Sequence, residues 1–185
     1  MKELFEYKRK SYLKTGEIYF WTATINKWQR LLERDLFKDI IIESLYTLTM
    51  KGKLDVFAFV IMPNHIHLIW RMNEHNGKEA ASKSFLKYTA HKFLNILTDN
   101  SPRILENYLV NQSNKKYEFW QRDSLAIPLY SKDVAIQKLE YIHNNPLADH
   151  WNLAKDPCEY KYSSASYYEM NVREYGFLKD LFDEI

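Results

Sequence analysis

The segment Leu54–Trp70, LDVFAFVIMPNHIHLIW, constrains this chain more than any other stretch. Leu54–Met62 is apolar and strand-like, and His65–Trp70 resumes that character after Pro63-Asn64. Proline fits a strand only at an edge, a bulge or a turn, so two strands joined through a Pro-Asn turn are expected. Side chains alternate faces along a strand. His65 and His67 therefore leave one face together, roughly 6–7 Å apart along the backbone. Ile66 and Leu68 point the other way, into a core. Two imidazoles at that spacing are able to converge on one metal ion. Two histidines on the surface of a strand are the bland alternative.

The flanking sequence supplies the elements that such strands need as cover. Ile18–Ile25 (IYFWTATI) reads as a further strand. Residues 35–50 place Leu36, Phe37, Ile40, Ile41, Leu45 and Leu48 at helical spacing, and Gly52 suits the stop. Residues 78–98 read as a second amphipathic helix with Phe85, Leu86, Phe93, Leu94 and Leu97 in its stripe. Lys83, Lys87 and His91 recur every four residues away from that stripe. Residues 99–116 are polar and are expected to form a long surface excursion. Short strands are expected at Tyr117–Trp120 and Ala126–Tyr130. Lys132–Asn145 reads as a third helix, stopped by Pro146 because proline disfavours helical geometry at the residue before it. This order predicts an α+β sandwich, with helices packed on a largely antiparallel sheet.

Composition narrows the class. A chain of 185 residues, 46% hydrophobic and 27% charged, suits one globular domain. Only four glycines are present, which disfavours Gly-rich nucleotide loops and flexible linkers. No run of 18 apolar residues occurs, so no membrane span is expected. Cys158 is the only cysteine, which excludes an internal disulfide and a cysteine zinc cluster and suits the cytoplasm. The net charge of +2 conceals an uneven distribution. Residues 78–122 carry 8 basic and 4 acidic side chains, and residues 123–185 carry 6 and 11. A solvated face is the bland reading of the basic block.

The third helix carries the second chemical signal. Ala135, Leu139 and Ile142 share a face and are expected in the core. Tyr141 and Asn145 lie four residues apart on a neighbouring face, with Lys138 three residues before the tyrosine. Taken singly, these are packing and capping residues. Taken with His65 and His67, they make an open site for Mg²⁺ or Mn²⁺, with two neutral imidazoles and an amide oxygen as ligands. Such an ion polarises a phosphodiester. A nearby tyrosine hydroxyl is then placed to act as nucleophile.

The run FVIMPNHIHLIW resembles the His-hydrophobic-His motif of HUH single-tyrosine transposases, the group that includes insertion-sequence transposases and REP-associated tyrosine transposases. SFLKYTAHKF (84–93), FWQRD (119–123), EYIHNNPLADHW (140–151) and EYKYSSASYY (159–168) are similar to the REP-associated subgroup. The resemblance spans residues 17–168, between a basic N-terminal arm (1–16, with Lys8-Arg9-Lys10) and an acidic C-terminal tail (169–185). It implies a ferredoxin-like fold with a central antiparallel sheet. It implies Tyr141 as nucleophile and His65, His67 and Asn145 as ligands of Mg²⁺ or Mn²⁺. The implied reaction is cleavage and rejoining of single-stranded, hairpin-associated DNA through a 5′-phosphotyrosine link, by a monomer or homodimer. Where many relatives carry Asp and Arg beyond the Trp-Gln pair, this chain has Ala126 and Tyr130.

Lys83, Lys87, His91, Lys92, Lys115, Lys116, Arg122 and Lys138 are the candidate phosphate contacts. Trp120 and Tyr117 are candidates for stacking on unpaired bases, and Trp120 is equally a core candidate. Two other classes remain open at this point. One is an adopted hairpin-binding protein that no longer cleaves. The other is a metal-dependent phosphodiester hydrolase that activates water.

Overall fold

The computed structural model describes residues 13–112, 115–122 and 124–185. The Lys8-Arg9-Lys10 arm and Asp123 lie outside them. Strands β1 (Ile18–Thr24), β2 (Leu54–Ile61), β3 (His65–Met72) and β8 (Leu125–Pro128) form one antiparallel sheet in the order β2-β3-β1-β8. Between β3 and β8 lie two short hairpins, β4 (His75–Asn76) with β5 (Glu79–Ala80) and β6 (Leu109–Gln112) with β7 (Lys115–Tyr117). Helices α1 (Asp35–Met50) and α2 (Ala81–Asn100) follow β1 and β3, and α4 (Lys132–Asn144) follows β8. The protein is thus α+β, with the βαββαβ order of a ferredoxin-like sandwich. Two small helices, α3 (Pro102–Leu105) and α5 (Ala165–Met170), complete it. Among the described residues, no helix is long and apolar enough to cross a membrane.

The sheet is covered on both faces, which explains why β2 is buried at every position and β3 at all but one. On one face, Phe37, Ile41 and Leu45 of α1 and Phe85, Phe93 and Leu97 of α2 pack on Trp21, Ile66, Leu68 and Trp70. On the other, Ala135, Leu139 and Ile142 of α4 pack on Phe20, Val60 and Ile69. The alternation along β3 therefore sorts as expected. Ile66 and Leu68 enter the first layer, and His65 and His67 face the α4 side. A bulge between Val56 and Ala58 puts Phe57 and Ala58 together on the α4 side and resets the pattern for the rest of β2.

Three regions depart from the sequence pattern. The polar stretch 99–116, expected as a surface excursion, instead contains α3 and β6, and it buries Leu105 and Tyr108. Tyr108 packs on Phe119, so two apolar anchors in a polar stretch suffice to dock it. The helix expected over Lys132–Asn145 is helical to Asn144, and Pro146 does not break the path. Asn145 keeps helical angles (φ −55°, ψ −42°) and leads into a 3₁₀ turn, Asn145–Leu147.

The acidic segment 169–185 is packed into the fold. Leu178 and Lys179 pair with Val56, and Phe177 and Leu181 are buried. Upstream, Tyr162 and Ser164 bond along the same edge of β2, so this edge is closed to other strands. Asp55, Arg71, Lys179 and Glu184 are joined by ion pairs, with Arg71 bonding Asp55 at 2.7 Å and Glu184 at 2.6 Å. Burial alone would raise the Asp55 carboxyl, but bonds from Lys179 and Arg71 hold it below its ordinary range.

Candidate active site

The register of the central strands assembles the inner wall of a cleft. In the β1/β3 ladder Thr22 lies opposite His67 and Thr24 opposite His65. All four side chains face α4. Tyr141 and Asn145 descend from α4 onto this wall, and the cleft of about 450 Å³ is lined by Thr22, His65, His67, Tyr141, Asn145 and Trp151, among others.

Each imidazole is oriented through Nδ1. His65 Nδ1 donates to the Asn64 amide oxygen at 2.7 Å, which leaves the Nε2 lone pair free. His67 Nδ1 is bonded to the Thr22 hydroxyl at 2.7 Å, and His67 Nε2 has no partner although buried. The Asn145 amide oxygen is likewise buried and without a partner. Buried polar atoms are nearly always satisfied, so two unpartnered polar atoms in one cleft mark a place shaped for a ligand, and a cation suits them when the Thr22 hydroxyl accepts from His67 Nδ1. Outer hydrogen bonds that fix the ring and leave one nitrogen exposed are the usual companions of metal-binding histidines. The residues present therefore fit a divalent ion, which His65, His67 and Asn145 would hold. Among the described residues no third His, Cys, Asp or Glu joins the pair, so the set supplies no charge of its own.

Burial lowers the His65 pKa to about 4, an effect partly offset by the polar Asn145 side chain nearby, although its amide oxygen meets no partner at hydrogen-bonding geometry. Burial, reinforced by the His65 and Lys138 charges, lowers the His67 pKa to about 3. Both rings are thus neutral at pH 7, the state a metal requires. His143, buried on the far side of α4 and bonded to Ser164, is lowered by burial to about 4. The unfolded chain takes up these protons below about pH 6.5, while the folded chain resists until about pH 4 or lower. Stability is therefore complete above about pH 6.5 and falls as pH drops through that window. Thermal melts of metal-free protein should show a flat Tm from pH 8 to 7 and a progressive fall from pH 6.5 to 4.

Tyr141 is 48% exposed. Its ring meets His67 edge-on at 5.2 Å and Phe20 at 5.8 Å. The Lys138 ammonium lies 5.0 Å from the Phe20 ring and 5.7 Å from the Tyr141 ring, which places a cation beside the phenol. The last two turns of α4 and the residue that follows it thus bring Lys138, Tyr141 and Asn145 to the cleft of the histidine pair.

The other candidate contacts do not meet there. Lys83, Lys87, His91 and Lys92 ride on α2, which covers the opposite face of the sheet. Lys87 is paired with Glu79, and Lys92 lies over Tyr88. Lys115 and Arg122 both bond Glu118, and Lys116 covers Tyr117. Trp120 is no platform for bases. It is buried, and its indole N–H donates to the buried Thr89 hydroxyl at 3.0 Å while its ring packs on Phe93. A core position that also offers a hydroxyl satisfies both halves of an indole.

Several residues at the cleft escape sequence reasoning. Thr22 has no signal, because its role follows from strand register. Asn64 reads as turn chemistry beside Pro63, and Trp28 lies in a loop. Trp151 and His150 fall within the EYIHNNPLADHW run and carry no individual signal.

No family model matches this chain, and no curated protein matches it. Among solved structures, the chain is similar to a REP-associated tyrosine transposase solved with a REP hairpin bound. The TM-score is 0.59 at 17% identity, over 89% of this chain and 83% of that one. A transposase candidate from Deinococcus radiodurans aligns with a TM-score of 0.44 at 17% identity, over 78% of this chain and 97% of that one. The first likeness establishes a shared fold.

Proposed function

We propose that this chain, which has the fold of a REP-associated tyrosine transposase, is a metal-dependent transesterase of single-stranded, hairpin-associated DNA. One observation carries the proposal. A single cleft joins two oriented imidazoles with free Nε2 positions, an orphaned amide oxygen and a half-exposed tyrosine in contact with one of those imidazoles. The motif resemblance and the shared fold agree with this reading.

The division of labour follows from the residues. His65, His67 and Asn145 would hold Mg²⁺ or Mn²⁺. The ion, when bound, withdraws charge from a phosphodiester and orients it for attack. Tyr141 supplies the nucleophile, and α4 sets its direction. The phenol oxygen bonds to phosphorus, the bond from phosphorus to the 3′ oxygen breaks, and the phenol proton leaves with the 3′ oxygen as a hydroxyl. The products are a 5′-phosphotyrosine link and a free 3′ end. The phosphoester bond is conserved in the link, so the reverse attack rejoins DNA without a nucleotide cofactor. Lys138, beside the ring, favours the phenolate that develops during attack and phosphate approaching it.

The test is incubation with 3′-end-labelled hairpin DNA pools and Mn²⁺, followed by a denaturing gel. A labelled protein band that disappears with chelator is expected. Cleavage without that band, leaving free 5′ phosphates, would establish a hydrolase. Hairpin binding with neither would establish a binding module.

A further inference from the structure

The chemistry above uses the inner wall of the cleft and leaves its rim unused. Trp28 stands on that rim, 59% exposed, with its ring 6.5 Å from His65. Its backbone is unusual. Lys27 and Trp28 both have positive φ, 55° and 56°, in a tight turn closed by a bond from the Gln29 N–H to the Asn26 carbonyl. Turns with two such central residues ordinarily take Asn or Gly, because other side chains crowd the backbone there. A strained turn that presents a large apolar ring to solvent needs a use outside the fold. The turn is also tied to the chemistry. Asn64 donates from its amide nitrogen to the Trp28 carbonyl at 3.4 Å, while its amide oxygen accepts from His65. Trp151 also lies near His65, with ring centroids 5.8 Å apart and the Arg30 guanidinium over its indole. Lys27, next in the chain, adds an exposed cation, and Arg30 is exposed and paired with Glu33 at 2.9 Å.

We infer that Trp28 is a stacking platform for an unpaired nucleobase of the strand next to the reacting phosphate, with Trp151 as the back wall of that subsite. This rests on the transesterase reading. An exposed indole offers a flat face that every base is able to stack on, and adjoining cations suit the strand's phosphates. The subsite therefore grips a single strand, not a paired stem.

The probe is a DNA hairpin with single-stranded flanks of randomised sequence, in chelator so that no cleavage occurs, beside the same hairpin without flanks. Of the five tryptophans, Trp21, Trp70 and Trp120 are buried, so fluorescence quenching by DNA reports on the cleft. The flanked hairpin should quench, and the flankless one should quench little. Trp28→Ala should weaken binding of the flanked hairpin by about tenfold to a hundredfold, the usual cost of losing one stacked base, and Trp28→Phe should retain most of it. Binding of the flankless hairpin should not change. Trp28→Gly relieves the turn and should leave Tm unchanged or raised. Equal binding by wild type and Trp28→Ala, with the Mn²⁺-dependent adduct intact in both, would overturn the platform and leave the transesterase standing. A wild-type protein that neither binds the flanked hairpin nor forms an adduct would overturn both. A fall in Tm for Trp28→Gly and Trp28→Phe alike would assign the indole to the fold and overturn the platform.

Discussion

Tyr141→Phe should leave no covalent protein–DNA species on a denaturing gel under conditions where the wild type forms one. The loss is expected to be at least about a thousand-fold, because removal of a nucleophile is not compensated by the rest of a site. The variant should still fold and still bind hairpin DNA. Half of the Tyr141 side chain faces solvent, and its ring contacts with His67 and Phe20 survive in phenylalanine. The stability change should stay within about 0.5 kcal/mol. The assay reads the hydroxyl alone, since the ring, the histidines and Asn145 are unchanged. An adduct that persists in Tyr141→Phe would place the nucleophile elsewhere. Tyr130 is the natural suspect as an exposed tyrosine, but it lines a separate cleft with Ser131 and Lys132.

Removal of residues 169–185 should prevent the protein from folding. The segment contributes two buried apolar side chains, Phe177 and Leu181, and its loss leaves Asp55 with Arg71 but without Lys179. It also strips part of the edge of β2, a strand apolar on both faces. Truncation of one such core side chain costs about 2–5 kcal/mol, against a total stability of about 5–15 kcal/mol. The milder variant Leu181→Ala keeps the question measurable. It should fold with Tm lowered by roughly 4–20 °C, from that cost and the ~2–4 °C per kcal/mol typical of a chain this long. Full Tm and solubility in the deleted protein would show that the segment is an appendage.

The sequence and the structure divide the site between them along a physical line. Strand alternation is a local rule, so it sends His65 and His67 to one face and Ile66 and Leu68 to the other whatever the tertiary contacts. Helical spacing is equally local, and it put Lys138, Tyr141 and Asn145 on one side of α4. The order of strands and helices was enough for a sandwich class, because helices at that spacing have nowhere else to bury their stripes. The polar stretch 99–116 misled because polarity reports the average of a segment, whereas docking depends on two anchors, Leu105 and Tyr108.

What local rules cannot do is bring distant residues together. Thr22 became the partner of His67 only through the pairing of β1 with β3, 45 residues away in the chain. Trp120 left the list of DNA contacts because Thr89 on another element offers its indole a hydroxyl. The basic ridge of α2, a set of candidate phosphate contacts, lies away from the histidines because α2 covers the far face of the sheet. Trp28 gained its place there through Asn64. The sequence by itself thus determined the chemical groups and the faces they occupy, because alternation and helical period are properties of the backbone. Only the tertiary structure decided which faces meet, since that depends on strand register and on which apolar surfaces find each other in the core.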